Sequence, residues 1–212
     1  MSTVSPFWII LLLATPLLSL AYMMTIYVVV HRWLPVNFHL YAHWFNSGFV
    51  VVVGSAVVFT SLTKIPLTAQ WIYLATIPLG VGLYVFDSYI KVHIAEKPLR
   101  NGTESVVTML PVLFVPIFEE IIFRGGYVFL EHFFGTGVFV VVSAFSFGIH
   151  HIGYGKIEVL FKFENGLVYG SLFVVTGSLL PPLLAHCGYN LAAVLVHADT
   201  SWLTRVSLQV RS

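Results

Sequence analysis

Three short groups of polar residues interrupt otherwise apolar runs in this chain, and their types are those of hydrolytic chemistry. The first is Phe118-Glu119-Glu120-Ile121-Ile122-Phe123-Arg124-Gly125, which sets two adjacent acids and a base in a stretch, Val106 to Leu130, that carries no other charge. A charged side chain at bilayer depth costs about 2.5–3.5 kcal/mol on insertion scales, so it normally faces a bundle interior, a partner or a water-filled cavity. On a helix Glu120 and Arg124 lie four apart on one face, acid before base, the favourable order. Glu119 points about 100° away. One carboxylate can thus be neutralised structurally while its neighbour stays free for chemistry. A buried ion pair that only fixes helix register would account for Glu120 with Arg124, but it gives two neighbouring acids no packing use.

The second group is Phe147-Gly148-Ile149-His150-His151, and the third is His186-Cys187-Gly188-Tyr189-Asn190, soon after Pro181-Pro182. His186 and Asn190 are four apart and share a helix face. Taken singly, each histidine reads as a satisfied interior residue; beside the acids, the set reads as a site. Water is a poor nucleophile near neutral pH and needs a positioned base. A developing oxyanion needs preorganised donors, which a histidine N–H and an asparagine amide supply. No serine, threonine or cysteine is required as nucleophile. Cys187 adjoins His186, but consecutive residues on a helix do not face each other.

The elements that must carry these groups follow from composition. The 212 residues are 58% hydrophobic and 9% charged, which indicates an all-α, polytopic transmembrane bundle rather than a water-soluble domain. Ten Lys plus Arg against nine acids leave a net charge of +1 with no like-charge block, so nothing points to nucleic acid. The single cysteine excludes an intramolecular disulfide and a multi-cysteine zinc site. A spanning helix needs about 20 apolar residues, and seven segments approach that, near 7–30, 38–62, 71–92, 105–130, 136–151, 160–178 and 181–198. The expectation is one integral membrane domain over 1–212, with the first segment retained as a helix because it lacks a basic n-region.

Lysine and arginine counts orient the bundle. With seven helices and the N-terminus outside, Arg32, Lys91, Lys97, Arg100, Lys156, Lys162, Arg205 and Arg211 fall on the inner side and Lys64 on the outer, which places the C-terminus in the cytoplasm. The fourth and fifth segments turn near Gly135-Thr136-Gly137, sixteen residues from Glu119 and sixteen from His151, so those two are expected at similar depth. His186 is only about 9 Å into its own helix, at 1.5 Å per residue, which conflicts with that depth unless the hairpin projects beyond the seventh helix, helices tilt or boundaries shift.

In order and spacing, Glu119-Glu120 with Arg124, Phe147 with His151, and His186 with Asn190 resemble the EExxxR, FxxxH and HxxxN motifs of the CAAX protease and bacteriocin-processing family of intramembrane proteases, which includes the type II CAAX prenyl endopeptidases. The likeness covers about residues 105 to 198; helices 7–92 match only generic spans. The resemblance implies an intramembrane endopeptidase of the cell membrane that hydrolyses a peptide bond in a membrane-tethered or membrane-inserted substrate. Carried over, Glu119 is the general base that activates water and His151 helps to hold that water. His186 and Asn190 position the substrate carbonyl and stabilise its oxyanion, Glu120 and Arg124 form a supporting pair, and Phe147 packs on His151. The family was formerly classed as metalloproteases and is now described as glutamate-dependent, which implies no cofactor. The alternative is zinc held by Glu119, His151 and His186, because two histidines and a carboxylate suit a catalytic zinc with an open fourth position.

Other polar residues have plainer readings. His39 and His43 are four apart, lack a third ligand, and read as interfacial residues alongside Tyr41 and Trp44. His150 duplicates the motif histidine, Glu164 and Asn165 form a polar pair facing the same cavity, and Asp87 meets a histidine or lines substrate access. A second function class is a transporter or assembly factor in which the same groups form a proton or ion relay. Asn190 favours the protease, because an amide does not titrate.

Overall fold

Long apolar runs with few charges can satisfy their backbone polar groups in lipid only as helices, and the computed structural model of the chain is built from them. It describes residues 6–33, 38–59, 66–95 and 105–198. Lys64, Lys97, Arg100, Arg205, Arg211 and the side chain of His39 lie outside the described residues. The helices are α1 (Pro6–Trp33), α2 (Phe38–Phe59), α3 (Thr76–His93), α4 (Val106–Glu120), α5 (Val128–Phe134), α6 (Thr136–His150), α7 (Lys156–Thr176) and α8 (Leu180–His197). No strand occurs among the described residues.

Helices α4 and α5 are continuous through a π-helical turn, Ile121–Gly126, and form a single apolar run, Val106–Phe134. Among the described residues, five runs are long and apolar enough to cross a membrane: Phe7–Trp33, Tyr41–Phe59, Trp71–His93, Val106–Phe134 and Lys156–Thr176. The sequence segments near 136–151 and 181–198 are helical, but α6 is only 15 residues long, and α8 is not among the five. The lower apolarity of α8 comes from the polar group His186 to Asn190 that it carries.

The bundle core collects Ile122, Phe123, Tyr127, Phe139 and Phe147, all fully buried, around the π turn. Outward faces stay apolar, with Val52, Phe59, Phe114, Phe145 and Val175 exposed, as expected where lipid replaces water. The turn expected near residue 135 is present: Gly135 adopts φ 85° between α5 and α6, a conformation that favours glycine. Helix α3 packs most extensively on α8. Their backbones approach so closely that a Cβ at Gly80 would lie 1.7 Å from the carbonyl oxygen of Ala185, the small-residue contact that membrane helices use.

Prolines inside the helices supply much of the specificity. A helical proline has no N–H for the carbonyl four residues before it, and in a bilayer that carbonyl needs another donor. Pro16, Pro111 and Pro116 lie inside α1 and α4, and they free the carbonyls of Leu12, Val107 and Val112. Each is met by a side chain from another element: Tyr127 Oη donates to Leu12 O at 2.8 Å, Trp44 Nε1 to Val107 O at 3.1 Å, and Asn190 Nδ2 to Val112 O at 2.7 Å. Three interhelical bonds therefore dock α1, α2 and α8 against the α4–α5 rod at fixed register.

Candidate active site

The end of α4 separates the two acids as a helix must. Glu120 faces the π turn, where Arg124 Nε lies 3.2 Å from Oε2, and both side chains are fully buried. The guanidinium also donates from Nη2 to Gly166 O at 3.1 Å and stacks over the rings of Phe147 and Tyr169 at 5.1 and 5.5 Å. From the other side His186 Nδ1 meets Glu120 Oε1 at 2.8 Å. Glu120 is thus held between a cation and an imidazole, and Nδ1 of His186 is committed to it.

Glu119 is also buried, but its carboxylate makes no hydrogen bond to a protein group among the described residues. Three imidazoles surround it instead: His186 Nε2 at 3.5 Å from Oε2, and His150 Nε2 and His151 Nε2 at 3.7 and 3.8 Å from Oε1. These separations are too long for hydrogen bonds and short enough for one water to touch both sides. His151 donates or accepts through Nδ1 at Phe147 O, 2.9 Å away, which leaves Nε2 as its inward atom. The Phe147 ring makes edge contacts with both His151 and His186, with centroids 4.8 and 5.5 Å apart, and Tyr169 stacks on His186 at 5.0 Å. The depth conflict for His186 resolves here, because its ring lies against Phe147, one helical turn before His151 on α6, and reaches Glu119 from that level.

The acid, His151, His186 and Asn190 line one cavity of about 440 Å³, together with Tyr84, Lys91, Tyr154, Glu158, Lys162 and Tyr189. All the residues placed together by sequence spacing are therefore together in space. Glu120, Arg124 and Phe147 stand behind them, outside the lining. Of the two adjacent histidines, His151 lines the cavity and His150 does not; both ring nitrogens of His150 lack a hydrogen-bond partner. Asn190 lines the cavity while one amide hydrogen holds Val112 O, so a second remains available.

Two expectations need correction. Asp87 meets no histidine and does not line the cavity: Oδ2 accepts from Tyr189 Oη at 2.8 Å and from Asn165 Nδ2 at 3.0 Å. Asn165 is fully buried in that link between α3, α7 and α8 and engages it through Nδ2, and neither it nor Glu164 lines the cavity. Spacing alone could not show this, because the partners are 78 and 102 residues apart. No set of three or more His, Cys, Asp or Glu side chains among the described residues is arranged to hold a metal ion. The imidazoles approach different oxygens of Glu119, and His186 also bonds Glu120.

Residues 101–192 match the family described as type II CAAX prenyl endopeptidase Rce1-like. The match covers less than half of the chain and makes that part similar to the CAAX-type intramembrane proteases. No curated protein and no solved structure gives a significant match. The Rce1-like region contains every element that faces Glu119, namely α4, the α6 end and α8 to Asn190. The five apolar runs among the described residues are those of a multi-pass membrane protein, and the family the chain is similar to is one of proteases.

Proposed function

We propose that the chain is a glutamate-dependent intramembrane endopeptidase that hydrolyses a peptide bond in a membrane-associated substrate. The observation that carries this reading is the buried, unbonded carboxylate of Glu119, set 3.5 and 3.8 Å from the inward Nε2 atoms of His186 and His151 at the end of a polar cavity. A water roughly 2.8 Å from Glu119 and from His151 closes a triangle on that spacing. Glu119 takes its proton as the oxygen attacks the peptide carbonyl. The oxyanion is met by the second amide hydrogen of Asn190 and by Nε2–H of His186 in its imidazolium form, whose Nδ1–H is given to Glu120, and the proton on Glu119 then passes to the leaving amine. Glu120 cannot share this work, since Arg124 and His186 occupy it. Their role is to fix the His186 ring and keep a second charge from competing.

The reaction as written needs no metal. The chemistry is tested by incubating the reconstituted chain with a prenylated peptide in oxygen-18 water and reading both products by mass spectrometry. One heavy oxygen enters the new carboxylate, Glu119→Gln stops cleavage, and chelators leave it intact. Cleavage by Glu119→Gln at the wild-type rate would remove the base; loss on chelation with recovery on adding zinc would favour the Glu119, His151 and His186 ligand set.

The cavity also has a direction. Its lining runs along α4 from Met109 to Glu119 and takes in the first half of α2, the C-terminal part of α3, α8 from His186 onward, and the α6–α7 junction, so it extends from Glu119 toward the end of the bundle where α3 and α8 finish. Arg32, Lys91, Lys156 and Lys162 lie at or toward that end, and this charge bias supports an opening, with the end of α8, on the cytoplasmic side.

A further inference from the structure

Two lysines line the cavity, and their surroundings differ. Lys91 Nζ, at the mouth, is paired with Glu158 Oε1 at 2.7 Å. Lys162 is one and a half turns into α7, and no carboxylate lies within ion-pair distance of its ammonium among the described residues. It sits instead over the ring of Tyr189, 3.9 Å from the centroid. Of the acids around it, Glu158, one turn earlier on α7, is given to Lys91 through Oε1, and Asp87, behind that ring, is taken by Tyr189 and Asn165 through Oδ2. A partly buried cation is costly unless an anion or water answers it, and a cation–π contact repays about 0.5–2 kcal/mol of that.

We infer that Lys162 is the specificity-determining anchor for a carboxylate on the substrate, the free C-terminus of the peptide beyond the scissile bond. This rests on the hydrolytic reading of the cavity. Lys162 and Glu119 line the same space, and a peptide carboxylate brought beside Glu119 is repelled unless a cation screens it. Tyr189 is three residues from His186 on α8, an axial offset of about 4.5 Å. The ammonium therefore stands just past the oxyanion position, where the leaving side of an extended peptide runs toward the mouth. Tyr189 keeps the lysine stem from folding away and lends no negative charge that would compete with the ligand.

The test is binding to the reconstituted full chain carrying Glu119→Gln, measured by fluorescence anisotropy with one farnesylated peptide in two forms, C-terminal acid and C-terminal amide, in zwitterionic nanodiscs. The expected result is at least a tenfold preference for the acid, abolished by adding Lys162→Gln and kept by Lys162→Arg. Equal binding of the two forms, no binding of either, or a preference that survives Lys162→Gln in a folded protein overturns the inference. An effect of Lys162→Gln confined to retention of anionic lipid also overturns it and assigns the site to headgroups. Because binding is read without turnover, an acid preference in the Glu119→Gln chain beside a wild-type chain that does not cleave the same peptide would leave the anchor standing and remove the protease.

Discussion

Adjacent carboxylates with opposite fates are the centre of this molecule. Glu119→Gln keeps size and loses basicity, so turnover should fall by about 10²–10⁴ with peptide binding retained, checked by kinetics and binding on one preparation. Glu120→Gln is expected to act differently. It leaves Arg124 buried without its carboxylate, a loss of about 3–5 kcal/mol, visible as a lower thermal midpoint in detergent. The double change Glu120→Gln with Arg124→Met removes both charges and should recover most of that stability, but not full activity, because the ring of His186 loses its charged partner at Nδ1. The division between the acids was legible from a 100° helical step. The choice between His150 and His151 was legible only as a motif spacing; both Nε2 atoms approach Glu119 Oε1, but α6 ends at His150, and His151, just past it, is the one that lines the cavity.

At the scale of elements, the prolines couple the site to the fold. Asn190→Ala orphans Val112 O, and membrane hydrogen bonds of this kind are worth about 0.6–1.7 kcal/mol. Pro116→Ala restores a backbone N–H to the same carbonyl, so the pair Asn190→Ala with Pro116→Ala should regain stability in bicelle unfolding while cleavage stays low. No recovery would mean that the Asn190 bond does not serve the carbonyl that Pro116 frees. Gly80→Ala attacks the same helix from behind. Its Cβ would collide with Ala185 O, so α8 must shift and carry His186 with it, at a cost of about 1–3 kcal/mol and with a drop in turnover. The sequence marks these prolines and glycines, but not which carbonyl or backbone faces them across a helix interface.

For the whole molecule, the testable quantity is sidedness. In a Cys187→Ser background, Lys156→Cys at the exposed α6–α7 junction should react with an impermeant maleimide from the side that carries the C-terminus, and substrate peptide in the bilayer should not block it. Labelling from the opposite side would reverse the proposed cytoplasmic opening.

What the sequence determined by itself is the class and the cast: apolar runs that can only be helices in lipid, and Glu119, His151, His186 and Asn190 at spacings that put each on a helix face. What the tertiary structure decided is how they meet. Register between helices is set by contacts such as Asn190 to Val112 and Tyr189 to Asp87, between residues 78 and 102 positions apart. No local periodicity encodes such pairings, since they depend on how close two backbones come and which freed carbonyl a neighbouring side chain can reach.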